Sequence, residues 1–169
     1  MSTLFEPLAL PSPAIDVEPA GPGDARGIAA LLRRCAPETV AVPERDVRRH
    51  WRRYVVVRDE ELGVVASAAV HEISSCVSEL RSLAVDPRCR GRGLGPGLVR
   101  RITREMQRRG HRLLCVTLRP RFFARFGFRR VPLDALPRKE NRPAVVNGRP
   151  RVAMIRRVHG AIPPAGGTP

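Results

Sequence analysis

Glycine recurs at every second position from Gly91 to Gly97, and Arg88, Arg90 and Arg92 are interleaved with this run or lead into it. Glycine lets a backbone come close to a ligand, and the N–H groups it exposes suit phosphate. Guanidinium groups match the same anion in charge and shape. Upstream lies a carboxylate, Glu79, with His71 and Glu72 before it. A carboxylate placed beside such a loop can accept a proton from a reacting group. The stretch therefore reads as an anion-binding loop next to a proton acceptor. Two familiar phosphate loops do not fit it. No Lys follows the glycines, which excludes the P-loop pattern. Their alternate spacing, and the lack of an acidic residue at the required distance, exclude the dinucleotide fingerprint.

Such a loop needs a strand to enter it and a helix to leave it. Leu80, Leu83, Ala84 and Val85 predict a strand over Val77 to Val85, which Asp86-Pro87 breaks. Strand alternation puts Glu79, Arg81 and Leu83 on one face. Leu94, Leu98, Ile102 and Met106 then mark one face of a helix. Pro96 fits its first turn, although it removes one N–H from the loop, and Gly110 fits its end. Around this motif the chain predicts a strand at Ile15 to Glu18 and a helix capped by Asp24 that runs to about Cys35. A second helix follows at Glu44 to Trp51. Strands at Tyr54 to Arg58 and Leu62 to Val70 form a hairpin, and His71 to Ser75 connects it to the central strand. Beyond the long helix come a buried strand at Arg112 to Leu118 and a short helix at Phe122 to Arg125. A strand at Gly127 to Val131, a single turn at Leu133 to Leu136 and a final strand at Arg151 to Val158 complete the order. This is an α+β domain with a mixed central sheet flanked by helices, over residues 14–158. Residues 1–13 and 159–169 read as flexible tails.

Composition narrows the function classes. At 169 residues the chain suits one domain with a real core. No apolar run approaches the ~20 residues of a membrane span. Cys35, Cys76, Cys89 and Cys115 lack close spacing, which suits free thiols of a cytoplasmic protein and no metal site. The net charge is +15, and Lys139 is the only lysine. Such charge attracts nucleic acid, acidic proteins or small anions. Aromatic residues are only 4% and no nucleic-acid reading motif is present, which makes nucleic acid the weakest of these partners.

Arg90-Gly91-Arg92-Gly93-Leu94-Gly95 fits the pattern Arg/Gln-x-x-Gly-x-Gly/Ala. With Glu79-Leu80-Arg81-Ser82-Leu83-Ala84-Val85-Asp86-Pro87 before it, it resembles the acetyl-coenzyme A loop of the GNAT (GCN5-related N-acetyltransferase) superfamily. Phe122-Phe123-Ala124-Arg125-Phe126-Gly127-Phe128 resembles the segment that closes the same fold. Leu136-Pro137-Arg138-Lys139 is similar to a segment of N-acetylglutamate synthase-like amino-acid N-acetyltransferases. The resemblance implies the GNAT acyl-CoA N-acyltransferase fold and acetyl-CoA as co-substrate, with no metal. It implies direct transfer of acetyl to a primary amine, such as the α-amino group of glutamate. The acceptor is then a small-molecule amine or amino acid. Other readings are acetylation of another small amine or of a protein amino group, and a non-catalytic coenzyme A-binding module.

Residue by residue, the resemblance implies that Leu83, Ala84 and Val85 act through their backbone, with Leu83 polarising the thioester carbonyl. The pyrophosphate falls to Arg90, Gly91, Arg92, Gly93, Leu94 and Gly95, and Phe123 flanks the pantetheine arm. Glu79 is the base, or alternatively a structural ion pair with a nearby Arg; His71 and Glu72 come second. The usual tyrosine acid is absent: Phe123 stands in its place, and the one tyrosine is Tyr54. Thr117, Cys115 and water are the substitutes. Arg81, Arg119 and Lys139 are the cations for an acceptor carboxylate. Two departures bear on glutamate: Glu44 stands where an Arg is expected, and no Cys-rich segment follows Lys139. Many GNAT members dimerise through late strands, so Arg151 to Val158 is the candidate surface for a homodimer.

Overall fold

A computed structural model of the chain describes residues 15–132, 145–146 and 149–157. The two tails, the expected turn at Leu133 to Leu136 and the segment ending in Lys139 lie outside the described residues. Among the described residues, nine strands and four α-helices follow in order: β1 (Glu18–Pro19), α1 (Ala25–Arg34), α2 (Glu44–Arg49), β2 (Tyr54–Asp59), β3 (Gly63–Ser74), β4 (Val77–Val85), α3 (Leu94–Arg108), β5 (Arg112–Thr117), α4 (Pro120–Ala124), β6 (Arg129–Val131), β7 (Val145–Val146), β8 (Arg149–Pro150) and β9 (Val152–Arg156). Seven strands form one sheet in the order β1-β2-β3-β4-β5-β9-β6, and β7 pairs with β8 apart from it. Strands β1 to β4 make an antiparallel meander. Among the described strands, only β4 and β5 run parallel, joined by the α3 crossover.

The sheet is covered on both faces. Leu98, Val99, Ile102 and Met106 of α3 pack on Leu80, Leu113, Cys115 and Met154. Ile28, Leu31 and Leu32 of α1 and Val47 of α2 pack on Val56, Val64 and Ala69 opposite. The four-residue spacing of the α3 stripe therefore buries as expected. Helix α1 approaches β3 through Gly27, where a Cβ would lie 3.0 Å from Val64 Cγ2. Helix α3 starts at the left-handed Gly93 and ends before Gly110, whose φ is 72°.

Several expectations need correction. The first strand is only Glu18–Pro19, later than Ile15 to Glu18, because it pairs with only Val55 and Val56 at the sheet edge. Asp24 does not cap α1 with its side chain; Oδ2 accepts from the Gly21 N–H at 2.6 Å and both oxygens hold Arg58. Strand β3 runs on to Ser74, so His71 and Glu72 belong to a strand and not to a connection. Val145–Val146 and Arg149–Pro150 form a short strand pair that the predicted order of elements lacks. Strand β9 has β5 on one edge and β6 on the other. Among the described residues, no helix is long and apolar enough to cross a membrane.

The correction that matters most to the site is in β4. Ala69 registers with Arg81 and Ser67 with Ala84, so Ser82 and Leu83 together face the single Ala68. Two residues against one is a β-bulge. Ser82 has φ 53°, the only positive φ outside glycine among the described residues. The bulge reverses the alternation. Arg81 stays beside Glu79, while Leu83 packs with the α3-side core and Ala84 with the α1-side core. Glu79, Arg81 and Leu83 therefore do not share a face.

Candidate active site

Strands β4 and β5 are paired from Val77 with Arg112 to Leu80 with Cys115, and the pairing stops there. Beyond that point β4 continues to Val85, still registered on β3, and β5 continues through Val116 and Thr117, registered on β9. The two strands separate like the arms of a V. Backbone groups on their facing edges lose their sheet partners and turn to the space between. A cleft of about 1080 Å³ occupies it. Glu79 stands at the apex and the glycine loop at the open end; both line the cleft, as do Leu83, Ala84, Val85 and Phe123.

At the open end, Gly91 and Gly93 have φ 80°, and no side chain caps the first N–H groups of α3. Its first turn closes with the Gly97 N–H on the Gly93 carbonyl at 2.9 Å. Pro96 in that turn has no N–H to offer. The N–H groups of Gly93, Leu94 and Gly95 precede the intrahelical ladder and suit an anion. A Cβ at Gly93 would sit 3.3 Å from Ile15 Cδ1. Gly93→Val adds a β-branched residue at a left-handed φ, and acetyl-coenzyme A affinity by calorimetry should fall about tenfold.

The arginines of the loop have different partners. Arg88 is committed to Asp86, donating from Nε and Nη2 at 3.0 Å each. Arg90 Nη2 lies 3.5 Å from Glu38 Oε2, and Arg119 Nη2 donates to Glu38 Oε1 at 2.8 Å. One carboxylate from the α1–α2 loop thus joins the Arg90 expected at the pyrophosphate with the Arg119 expected at the acceptor. Both ion pairs are partly exposed and weak, so an entering anion can displace Glu38. Arg92 has no partner among the described residues.

At the apex, Glu79 is 3% exposed and registers with His71 across the β3–β4 pair. Arg81 Nε stands 4.0 Å from Glu79 Oε2, a long contact from a side chain that is itself 35% exposed. Arg53 Nη1 donates to His71 Nδ1 at 3.2 Å. An arginine cannot accept, so His71 carries its proton on Nε2. Burial, with Arg81 and Arg53 nearby, depresses the His71 pKa to about 4. His71 is therefore a neutral donor near pH 7, with no free lone pair for a base. Glu72 turns to Arg109, 3.5 Å away just past the end of α3, and does not line the cleft.

The acid candidates separate as well. Burial and the nearby Glu79 charge push the Cys115 thiol well up, which makes it a poor proton donor. Thr117 Oγ1 accepts from the Arg119 N–H at 2.9 Å. Phe123 is buried edge-on between Phe122 and Phe128, as wall and not as acid. Tyr54 lines the cleft at its α1 side, 4% exposed, and burial pushes its phenol up. Sequence reasoning set Tyr54 aside, and missed Glu38, Arg53 and Arg151 on the cleft wall. Lys139 lies outside the described residues. No cluster of three or more His, Cys, Asp or Glu suited to a metal occurs among the described residues.

Residues 50–130 match the family model for the acetyltransferase (GNAT) domain. The amino-acid acetyltransferase of Mycobacterium tuberculosis (strain ATCC 25618 / H37Rv) is 38% identical over 68 residues, which are 38% of this chain and 38% of that protein. The aligned stretch is thus well under half of the curated relative. Among solved structures, Rv2747 from Mycobacterium tuberculosis in complex with CoA and NLQ is similar at TM-score 0.73 and 20% identity, over 84% of this chain and 98% of that one. N-acetylglutamate synthase from Neisseria gonorrhoeae, complexed with coenzyme A and N-acetyl-glutamate, gives TM-score 0.73 at 24% identity, over 85% of this chain and 35% of that one.

Proposed function

Because this chain belongs to the GNAT superfamily, we propose that it is an acetyl-CoA-dependent N-acetyltransferase whose acceptor is the primary amine of an amino acid such as glutamate. The observation that carries the reading is the β4–β5 split, with an N–H cradle at one end and the buried Glu79 at the other. The residues fit acetyl-coenzyme A. Gly93, Leu94 and Gly95 offer N–H groups to its pyrophosphate, with Arg90 and Arg92 adding charge. Leu83 and Phe123 supply apolar wall. When bound, it supplies an acetyl thioester.

Each residue of the chain then has a task. Glu79 takes a proton from the acceptor ammonium and leaves a neutral amine to attack. The bulged backbone at Leu83 aims a donor at the carbonyl oxygen, where negative charge develops. His71, held by Arg53, keeps an N–H available near Glu79 without competing as a base. Arg81 and Arg119 are the described cations expected to hold an acceptor carboxylate, and Arg forks suit that group. Arg53 and Arg151 add to the positive wall of the cleft.

Purified protein, acetyl-coenzyme A and a panel of amino acids, small amines and peptides, followed by release of free thiol, tests the reading. Turnover is expected with an acidic amino acid and not with its amide or with peptides. Turnover restricted to peptides would move the acceptor to a protein amino group. Tight binding of coenzyme A without turnover of any acceptor would leave a binding module.

A further inference from the structure

We propose that Glu38 is a built-in competitor for the coenzyme's phosphates: its carboxylate spans the open end of the strand split between Arg90 and Arg119, and an incoming pyrophosphate expels it. The identity of the anion rests on the acetyl-transfer reading above; the presence of a displaceable carboxylate on an anion site does not.

The two arginines leave the two arms of the V. Arg90 lies on the loop that follows β4, and Arg119 on the turn that follows β5. Glu38 comes from neither arm but from the α1–α2 loop, 52 and 81 residues away in sequence. Glu38 Oε2 lies 3.5 Å from Arg90 Nη2, and Oε1 accepts from Arg119 Nη2 at 2.8 Å. Each oxygen therefore serves one guanidinium, and the carboxylate crosses the gap where the β4–β5 pairing has ended. All three residues line the cleft. Two guanidiniums within reach of one carboxylate repel each other, and an anion between them offsets that repulsion. Glu38 supplies this anion from within the chain.

The contact can be given up. The Glu38 side chain is 45% exposed, with Arg90 at 45% and Arg119 at 61%, so water screens both pairs. The loop that carries Glu38 is anchored by other groups. Cys35 Sγ donates to the Val85 carbonyl at 3.4 Å, Thr39 Oγ1 donates to the Leu32 carbonyl at 3.2 Å, and the Thr39 N–H donates to the Cys35 carbonyl at 3.3 Å. None of these bonds uses the Glu38 side chain, so the loop keeps its place when the carboxylate swings out. A pyrophosphate on the N–H groups of Gly93, Leu94 and Gly95 brings more negative charge than Glu38, and Arg binds it through paired hydrogen bonds. Two anions cannot share these guanidiniums without repelling each other, and the one that also holds the N–H groups prevails. Glu38 thus lowers affinity for phosphate-bearing ligands and leaves the thioester arm alone.

Glu38→Gln tests this by calorimetry with coenzyme A and with inorganic pyrophosphate, and by NMR titration with S-acetyl-pantetheine, which keeps the thioester arm and lacks phosphate. Glu60→Gln is the control. It makes the same change of charge at an exposed turn outside the cleft, and at ~0.15 M salt it should leave each affinity within about twofold of wild type. Glu38→Gln should bind coenzyme A and pyrophosphate about fivefold more tightly, equivalent to about 1 kcal/mol, with S-acetyl-pantetheine within about twofold. Unchanged or weaker coenzyme A binding in Glu38→Gln would overturn the proposal. So would an equal gain for S-acetyl-pantetheine, which would make the side chain a steric plug. An equal gain in Glu60→Gln would also overturn it, by reducing the effect to overall charge. If the wild type does not bind coenzyme A, the acetyl-transfer reading fails. Pyrophosphate affinity in wild type against Glu38→Gln then decides the competitor by itself, and no gain there ends it.

Discussion

Glu79→Gln is expected to lower kcat roughly a hundredfold or more, the scale of losing a positioned general base, while leaving acetyl-coenzyme A affinity unchanged. Gln keeps the size of Glu and can still accept a hydrogen bond, so the substitution removes the proton acceptor with little change in packing. Two competing roles give opposite results. As a structural ion pair, Glu79 would mainly support stability, and Glu79→Gln would lower the melting temperature with turnover intact. The Arg81 contact contributes little to that role. The Arg81 contact is 4.0 Å long, and the guanidinium side chain is 35% exposed, so solvent screens it. His71 is no replacement, because Arg53 occupies Nδ1 and the proton is fixed on Nε2. Thermal melts beside stopped-time thiol release decide it: a variant that melts lower but turns over normally would end the catalytic assignment. Glu79→Asp should recover part of the rate, since a shorter carboxylate still accepts a proton.

What could be read from the chain follows the range of the interactions. The strand, the Asp86-Pro87 break, the glycine loop and the α3 stripe are contiguous in sequence, and their periodicities carry them into the fold with small changes of boundary. Gly93 is legible because only glycine suits its φ of 80°. Ser82 is not, because serine at a left-handed position leaves no mark in composition or spacing. Its conformation comes from β3 beside it. The same holds for Glu38, Arg53 and Tyr54. They reach the cleft because the antiparallel meander carries β2 toward β4 and the α1–α2 loop folds over the open end. Tyr54 looked remote on an early strand, yet only Ala69 separates it from β4. Arg88 shows the opposite failure. It sits in the loop with the right chemistry for phosphate, but its two-residue distance from Asp86 lets a local hydrogen-bonded pair claim it first.

That pair leads to the largest expected effect on stability. Asp86 is 1% exposed at the exit of β4 and accepts from the Arg88 N–H, Arg88 Nε and Nη2, and Arg34 Nη2, each at 3.0 Å. It therefore ties α1, the end of β4 and the start of the anion loop to one carboxylate. Asp86→Ala should cost about 2–3 kcal/mol, the range for hydrogen bonds to a charged group. The freed guanidiniums add little to this, since Arg34 and Arg88 are 43% and 59% exposed and return to water. For a chain of this size that is a fall of roughly 5–10 °C in melting temperature. The pH dependence has a definite sign. Arg88 side-chain hydrogen bonds, its backbone N–H and the charges of Arg88 and Arg34 hold the Asp86 carboxyl well below the usual carboxylate range. A depressed folded-state pKa stabilises above the unfolded value and is lost as the pH falls through the folded one. The gap between wild type and Asp86→Ala should be full above about pH 5 and close toward lower pH. Urea melts across that range measure it, and a gap that stays constant down to acid would show that the carboxylate charge is not what anchors the loop. Because the same tie fixes the start of the glycine loop, Asp86→Ala should also weaken acetyl-coenzyme A binding, whereas Glu79→Gln should not. The two variants thus separate the grip of the loop from the chemistry at the apex of the strand split.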